Sequence, residues 1–281
     1  MDTENHHNSE PKRQHLSPSE VLRAMHREAT WLFNLEHAKV MVLSLTGGGF
    51  ITMGALFSVL LSAGVEVTGL KLLLQGLGFS TGFYMIILSR SVLFTEANIL
   101  VPASMLQKSS REIWIRALEF WCLALIGNAL GAYIVATAVM YAQSYPESVH
   151  AALRGIIAKK MAYMDMGGAS SWFKIVVSGM FGNGLIGMAA FFAIMAKTLT
   201  SKFVPIFLVV SLFVAGNLQH SPANMGYFSL IMATDEGPGW VSAFLWNIIP
   251  AGIGNIIGAT LLVALPFWYS LAPQNLDQDV E

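Results

Sequence analysis

The chain has little charge. Only 12% of its 281 residues are Asp, Glu, Lys or Arg, against 54% that are hydrophobic. A soluble chain carries roughly twice that charged fraction, so the composition points to a bilayer. Sixteen basic and 17 acidic residues nearly cancel, leaving a net charge of −1, which offers nucleic acid no basic footprint. Cysteine occurs once, as Cys122 in an apolar run, and a single thiol excludes an internal disulfide. The apolar runs hold no cluster of metal ligands, no nucleophile–base pair and no second histidine besides His220. No metal or cofactor is therefore expected, and a membrane enzyme built on His220 is disfavoured. No cleavable signal peptide is expected either, because residues 1–38 are polar, rich in His and charge, and lack an apolar core.

What the chain does have is long apolar runs. Six spans are predicted: Val40 to Gly64, Leu72 to Gln107, Phe120 to Ala142, Ile175 to Ala196, Phe203 to Ala233 and Trp240 to Leu271. A plain crossing needs ~20 residues. The second and fifth runs are too long for one straight crossing, and each is interrupted near its middle by polar residues. The first break is Leu93-Phe94-Thr95-Glu96-Ala97-Asn98; the second is Leu218-Gln219-His220-Ser221-Pro222-Ala223-Asn224. Hydrocarbon tolerates such interruptions only where protein or a water-filled path satisfies them, so both runs read as pairs of half-helices around a transport site.

The halves repeat. Gly47 to Phe57 resembles Gly182 to Phe192, both breaks contain Ala-Asn, and Gly127 to Ala132 resembles Gly254 to Ala259. Three spans are an odd number, so the halves must be inverted, which puts the site at their pseudo-twofold axis near the midplane. The expected fold class is all-α integral membrane: a six-span, aquaporin-like fold of inverted three-helix repeats. Its expected parts are a cytoplasmic tail over 1–38, a channel domain over 39–271 and a second tail over 272–281. Ser17-Pro18-Ser19-Glu20 marks the start of an amphipathic helix in the first tail. The linker 143–170 gives only a weak helical signal. Basic residues place both termini in the cytoplasm: Lys12, Arg13, Arg23, Arg27, Lys39, Lys108, Arg111, Arg116, Lys197 and Lys202 lie on that side, against Lys71, Arg154, Lys159 and Lys160.

Four motifs in register carry a family resemblance: Leu93-Phe94-Thr95 with Asn98; His220-Ser221-Pro222-Ala223-Asn224-Met225; Gly127-Asn128; and Asn247-Ile248-Ile249-Pro250 followed by Gly254-Asn255. From about residue 20 to 270 the chain resembles the formate/nitrite transporter family of pentameric, aquaporin-like anion channels. The resemblance implies a homopentamer in the inner membrane that passes a small monovalent anion such as formate, nitrite or a related weak-acid anion, with a proton as the coupled partner. It implies that His220 faces the pore and hydrogen-bonds Thr95, with Asn224 nearby. It puts Phe79, Phe83, Leu93, Phe94, Ile186 and Phe213 on the constrictions, with Asn183 on the same path. Lys159 or Lys160 matches the outer-vestibule lysine, and Lys39 takes the inner part.

Each of these residues also has a plainer reading. His220 would be a satisfied core histidine, Thr95 and Asn224 would cap helices at the kinks, and Asn183 would join two helices. The phenylalanines would be ordinary packing, and the lysines would snorkel to the interface. Two departures stand out. Gln219 precedes the histidine where the family commonly has glutamate, and Arg90 and Glu96 flank the first break, where an ion pair between them is the simplest explanation. A channel for neutral solutes on the same fold, with a structural histidine, is the second reading.

Overall fold

A computed structural model describes residues 13, 15–107 and 110–271. Lys12, Lys108 and the outermost residues of both tails, including all of 272–281, lie outside the described residues. Every element is helical: α1 (Pro18–Phe33), α2 (His37–Ser62), α3 (Thr68–Ser89), α4 (Phe94–Gln107), α5 (Arg111–Ala142), α6 (Glu147–Met166), α7 (Gly168–Met195), α8 (Leu199–Ala215) and α9 (Ser221–Met232). They are followed by α10 (Trp240–Leu271), which includes two π turns at Phe244–Ile248 and Ala259–Ala264.

Among the described residues, five helices are long and apolar enough to cross a membrane: α2, α3, α5, α7 and α10. The shorter α8 is apolar as well. Both runs are interrupted as predicted, but the non-helical stretches are 90–93 and 216–220, so Thr95 to Asn98 and Ser221 to Asn224 already lie in the first turns of α4 and α9. α3 ends at Arg90, whose backbone is left-handed at φ 55°, and α4 begins at Phe94. α8 ends at Gly216, Asn217 turns left-handed at φ 49°, and α9 begins at Ser221.

The packing pairs α2 with α5 and α3, and α7 with α10 and α8, while α3 faces α8. α9 inserts against α5 and α2; α4 inserts against α10 and α7. Close approach of the long helices depends on the small residues singled out above. A Cβ at Gly131 would run into the Leu45 carbonyl, and one at Gly258 into the Met180 carbonyl.

α1 forms where its cap spells it. Ser17 Oγ accepts from the Glu20 N–H at 3.4 Å and Glu20 Oε2 accepts from the Ser17 N–H at 2.6 Å, the reciprocal pair expected of Ser-x-x-Glu. Its apolar face buries Val21, Leu22, Met25, Ala29 and Leu32 and lies mainly across α4, α7 and α10. The 143–170 linker is a larger departure from expectation, since α6 fills most of it. Val149, Leu153, Ile157, Lys160 and Met161 are buried at helical spacing, and a lysine inside that stripe hid the pattern.

Candidate functional site

Two asparagines hold the breaks open. Asn128 on α5 accepts at Oδ1 from the Phe94 N–H (2.8 Å) and donates from Nδ2 to the carbonyls of Val92 (2.9 Å) and Ser44 (2.8 Å). Asn255 on α10 accepts at Oδ1 from the Ser221 N–H (2.9 Å) and hydroxyl (3.0 Å), and donates to the carbonyls of Gln219 (3.1 Å) and Gly179 (2.9 Å). Each thereby satisfies peptide groups that the break frees, at a depth where water is scarce. Only glycine fits behind each strand of broken chain: a Cβ at Gly47 would meet the Val92 carbonyl, and one at Gly182 the Gln219 carbonyl. Capping by Thr95 and Asn224, the plainer sequence reading, is thus not what occurs. Asn128 and Asn255, on helices distant in sequence, bind the first N–H groups of α4 and α9, and His220 adds a local cap to α9.

His220 is itself the N-cap of α9: its Nδ1 accepts from the Ala223 N–H at 3.3 Å. A neutral imidazole that accepts at Nδ1 carries its proton on Nε2, and that Nε2 is buried without a protein partner. The Phe213 ring lies edge-on to the imidazole with centroids 5.4 Å apart. Thr95 Oγ1, both side-chain polar atoms of Asn98, Asn183 Oδ1 and Asn224 Oδ1 are also buried and unpartnered. The hydrogen bond between Thr95 and His220 that the resemblance implied is not made here. The cap and the Phe213 contact hold the imidazole, and both groups keep a free polar atom. Asn183 does join helices, donating from Nδ2 to the carbonyls of Thr95 (3.1 Å) and Asn255 (2.9 Å), with Oδ1 left over.

Asn224 belongs to an amide cluster. Its Nδ2 donates to Gln219 Oε1 (2.9 Å) and Asn247 Oδ1 (2.5 Å), and Asn247 Nδ2 donates to Gln219 Oε1 (3.1 Å) and to the Lys160 carbonyl (3.0 Å). Asn247 stands in the first π turn of α10, a wide turn of the kind that re-aims side chains at functional sites.

A cavity opens on each side. The α6-side cavity, ≈ 60 Å³, is lined among others by Gln75, Lys159, Lys160, Phe213, Leu218 and Tyr227. Lys160 is buried at 4% exposure, and its ammonium lies 5.6 Å from the Tyr227 ring centre. Lys159 is exposed, so of the two candidates it is Lys160 whose charge sits inside. Burial pushes the Lys160 ammonium down to about 7. Phe79 stacks on Tyr227 (5.9 Å, 19°) and tilts against Phe213 (5.9 Å), so two predicted constriction residues meet beside His220. Tyr227 was missed in the sequence; its one signal is a phenol inside an apolar half-helix.

The α1-side cavity, ≈ 260 Å³, is lined by Glu28, Arg90, Ser91, Leu93, Glu96 and Lys202 among others. Leu93 is at its wall. Phe83, Phe94 and Ile186 are fully buried and line neither cavity. Lys39 does not reach this mouth: it is exposed, pairs with Glu36 at 3.2 Å and borders a shallow outer surface with Trp31 and Val42. Arg90 and Lys202 stand where Lys39 was expected. Nor does Arg90 pair with Glu96. It forms a two-pronged ion pair with Glu28 of α1 (2.6 and 2.8 Å) and lies 4.1 Å over the Trp31 ring, because its left-handed backbone turns it toward α1.

Comparison with known proteins agrees with this architecture. The chain is 27% identical over 274 residues to a "Probable formate transporter" of Methanothermobacter thermautotrophicus, covering 90% of this chain and 96% of that one. Among solved structures, an "FNT family ion channel" superposes with TM-score 0.73 at 21% identity, covering 89% of this chain and 98% of that one. A "Pentameric formate channel with formate bound" superposes with TM-score 0.69 at 22% identity, covering 83% and 96%. The sequence pattern of the formate/nitrite transporter family matches residues 19–269. The chain therefore belongs to the formate/nitrite transporter family, as a multi-pass membrane transporter and not an enzyme.

Proposed function

We propose that the protein is a homopentameric channel for a small monovalent weak-acid anion, formate or nitrite or a close relative, and that His220 links passage to a proton. Each protomer has six spans, α2, α3/α4, α5, α7, α8/α9 and α10, arranged as inverted halves. The matching asparagine anchors at 128 and 255, and the matching glycines at 47 and 182, support that arrangement. Both termini lie in the cytoplasm of a cell whose inner membrane holds the protein.

One observation carries the functional reading. Buried polar atoms without protein partners (Thr95 Oγ1, Asn98, His220 Nε2 and Asn224 Oδ1) gather at the two breaks, with Leu93 and the Phe79–Phe213 pair as apolar flanks. A packed core satisfies its polar groups; a conduction path leaves them for its cargo. Carrying a bare anion past apolar rings costs up to ~20 kcal/mol in the idealised limit, whereas protonating a weak acid of pKa ~4 at neutral pH costs about 4 kcal/mol. The neutral acid is the species to pass. Lys160 gathers the anion, and the imidazolium form of His220 gives it a proton and returns to neutral imidazole. Protonating His220 at Nδ1 displaces the Ala223 N–H from the cap of α9, so the imidazolium is a short-lived form, and discharging its proton to the anion restores the cap.

That same cap favours a second reading, a neutral-solute channel in which His220 is structural. Labelled formate and nitrite flux into proteoliposomes between about pH 5 and 8 separates the two. Wild type should carry the anion with flux rising as the medium acidifies. His220→Asn keeps a good N-cap residue but has no titrating group, so it should assemble and show a flattened pH profile. Wild-type vesicles that pass water or glycerol but neither anion would establish the second reading.

A further inference from the structure

The α1-side cavity contains four charged groups, and two of them cancel. Arg90 is held by Glu28 through the two-pronged ion pair. Glu96 and Lys202 remain. Both line the cavity, and among the described residues neither forms an ion pair. Glu96 sits in the first turn of α4, one residue after Thr95 and close behind the Leu93 wall. The charged groups that face it are Glu28 from α1, Arg90 from the end of α3 and Lys202 from α8. The helices α5, α7, α9 and α10, which also pack on α4, bring no charged side chain to the cavity. A space of ≈ 260 Å³ has room for a small carboxylate and a few waters, at roughly 30 Å³ per water.

We propose that Glu96 and Lys202 form a proton-exchange station at the α1-side mouth, with Lys202 holding a small carboxylate or nitrite anion while Glu96 exchanges a proton with it. The inference rests on the weak-acid channel reading above. An acid that has crossed Leu93 as the neutral molecule gives its proton to the Glu96 carboxylate and leaves as the anion beside Lys202. Glu96 then returns the proton to bulk water through the cavity. In the opposite direction protonated Glu96 gives its proton to the arriving anion and the neutral acid moves past Leu93. One O–H bond breaks and one forms in each exchange, so no further reactant is needed. His220 serves the interior and the opposite end; Glu96 serves this mouth, where an apolar wall separates the two.

The test is labelled-formate flux in proteoliposomes of wild type, Glu96→Gln, Glu96→His and Lys202→Met, between about pH 5 and 8, with the pentamer checked by native mass. Glu96→Gln should lose flux by roughly tenfold or more at the alkaline end, the scale of a lost positioned proton donor. At the acid end, where bulk protonation suffices, it should match wild type. Lys202→Met should raise the half-saturating formate concentration several-fold, about the size of a single screened charge, and keep the shape of the pH profile. Glu96→His replaces one titrating group with another of different ordinary pKa, so the alkaline limb should move. A limb that stays in place in Glu96→His, or a Glu96→Gln profile superimposable on wild type, overturns the proposal, and the first outcome decides even if Glu96→Gln does not assemble. Wild type that carries no weak-acid anion at any pH overturns the channel reading instead.

Discussion

Asn128 and Asn255 do structural work that no local residue can do. Each makes two buried hydrogen bonds to peptide groups of a break and one to a carbonyl of a neighbouring helix, and each reaches a helix start 34 positions away in sequence. Replacing either by alanine leaves peptide groups unpaired in an apolar surround, at about 2–3 kcal/mol. The thermal midpoint of Asn128→Ala and of Asn255→Ala in detergent should therefore fall well below wild type, to a similar extent in both. A fall in only one would mean that the two breaks are not held alike. Phe213 sits at the same scale, between Phe79, His220 and the Lys160 cavity. An apolar ring gates by size and dewetting, so Phe213→Ala should admit larger monocarboxylates such as lactate. Unchanged selectivity in the flux assay would make Phe213 packing only.

Among the elements, α1 and α6 belong neither to the five apolar span candidates nor to the broken pairs α3/α4 and α8/α9. α6 brings Lys160 under Tyr227 and lends its backbone carbonyl to Asn247, so it acts as one wall of the mouth it closes. α1 is tied to the opposite mouth by Arg90, which joins Glu28 and covers Trp31. An ion pair this exposed is worth no more than about 1 kcal/mol. Glu28→Gln should therefore speed hydrogen exchange of the α1 amides by about fivefold and leave the spans protected. If exchange is unchanged, the apolar face of Val21, Met25 and Ala29 holds α1 without help from the charge pair.

The whole molecule turns a broad apolar surface outward. On α5 alone Trp114, Leu118, Ile126, Tyr133 and Ile134 are exposed. In a bilayer such a face meets lipid or another copy. A native mass spectrum from detergent should give five copies, each with its own path, and stable monomers would remove that part of the proposal. The two cavities differ in charge and size. The small one is governed by a single buried lysine, the large one by a neutralised pair plus Glu96 and Lys202. The two mouths should therefore respond differently to pH.

The sequence by itself determined that long apolar helices cross a membrane, that two of the runs are broken, and where α1 starts. Each is a local matter: an apolar run has a length, a polar interruption in hydrocarbon has a cost, and Ser17 and Glu20 stand at the spacing that a capping box needs. The position of His220 at a break was legible for the same reason. Partners were not. Arg90 stands six positions from Glu96 in the chain, yet it pairs with Glu28, 62 positions away, because its left-handed turn points it at α1. Lys159 and Lys160 are neighbours in sequence and differ by one helical step, and only the packing of α6 on α9 put one of them inside. Lys39 read as a vestibule cation until the course of α2 carried it to the outer surface. Thr95 and Asn224 stand in the first turns of α4 and α9, but Asn128 caps α4, and Asn255 caps α9 together with the local His220. Spacing along a chain fixes what lies on one turn of helix; which helix crosses behind a break is decided only when the long helices α5 and α10 pack, and that packing is tertiary.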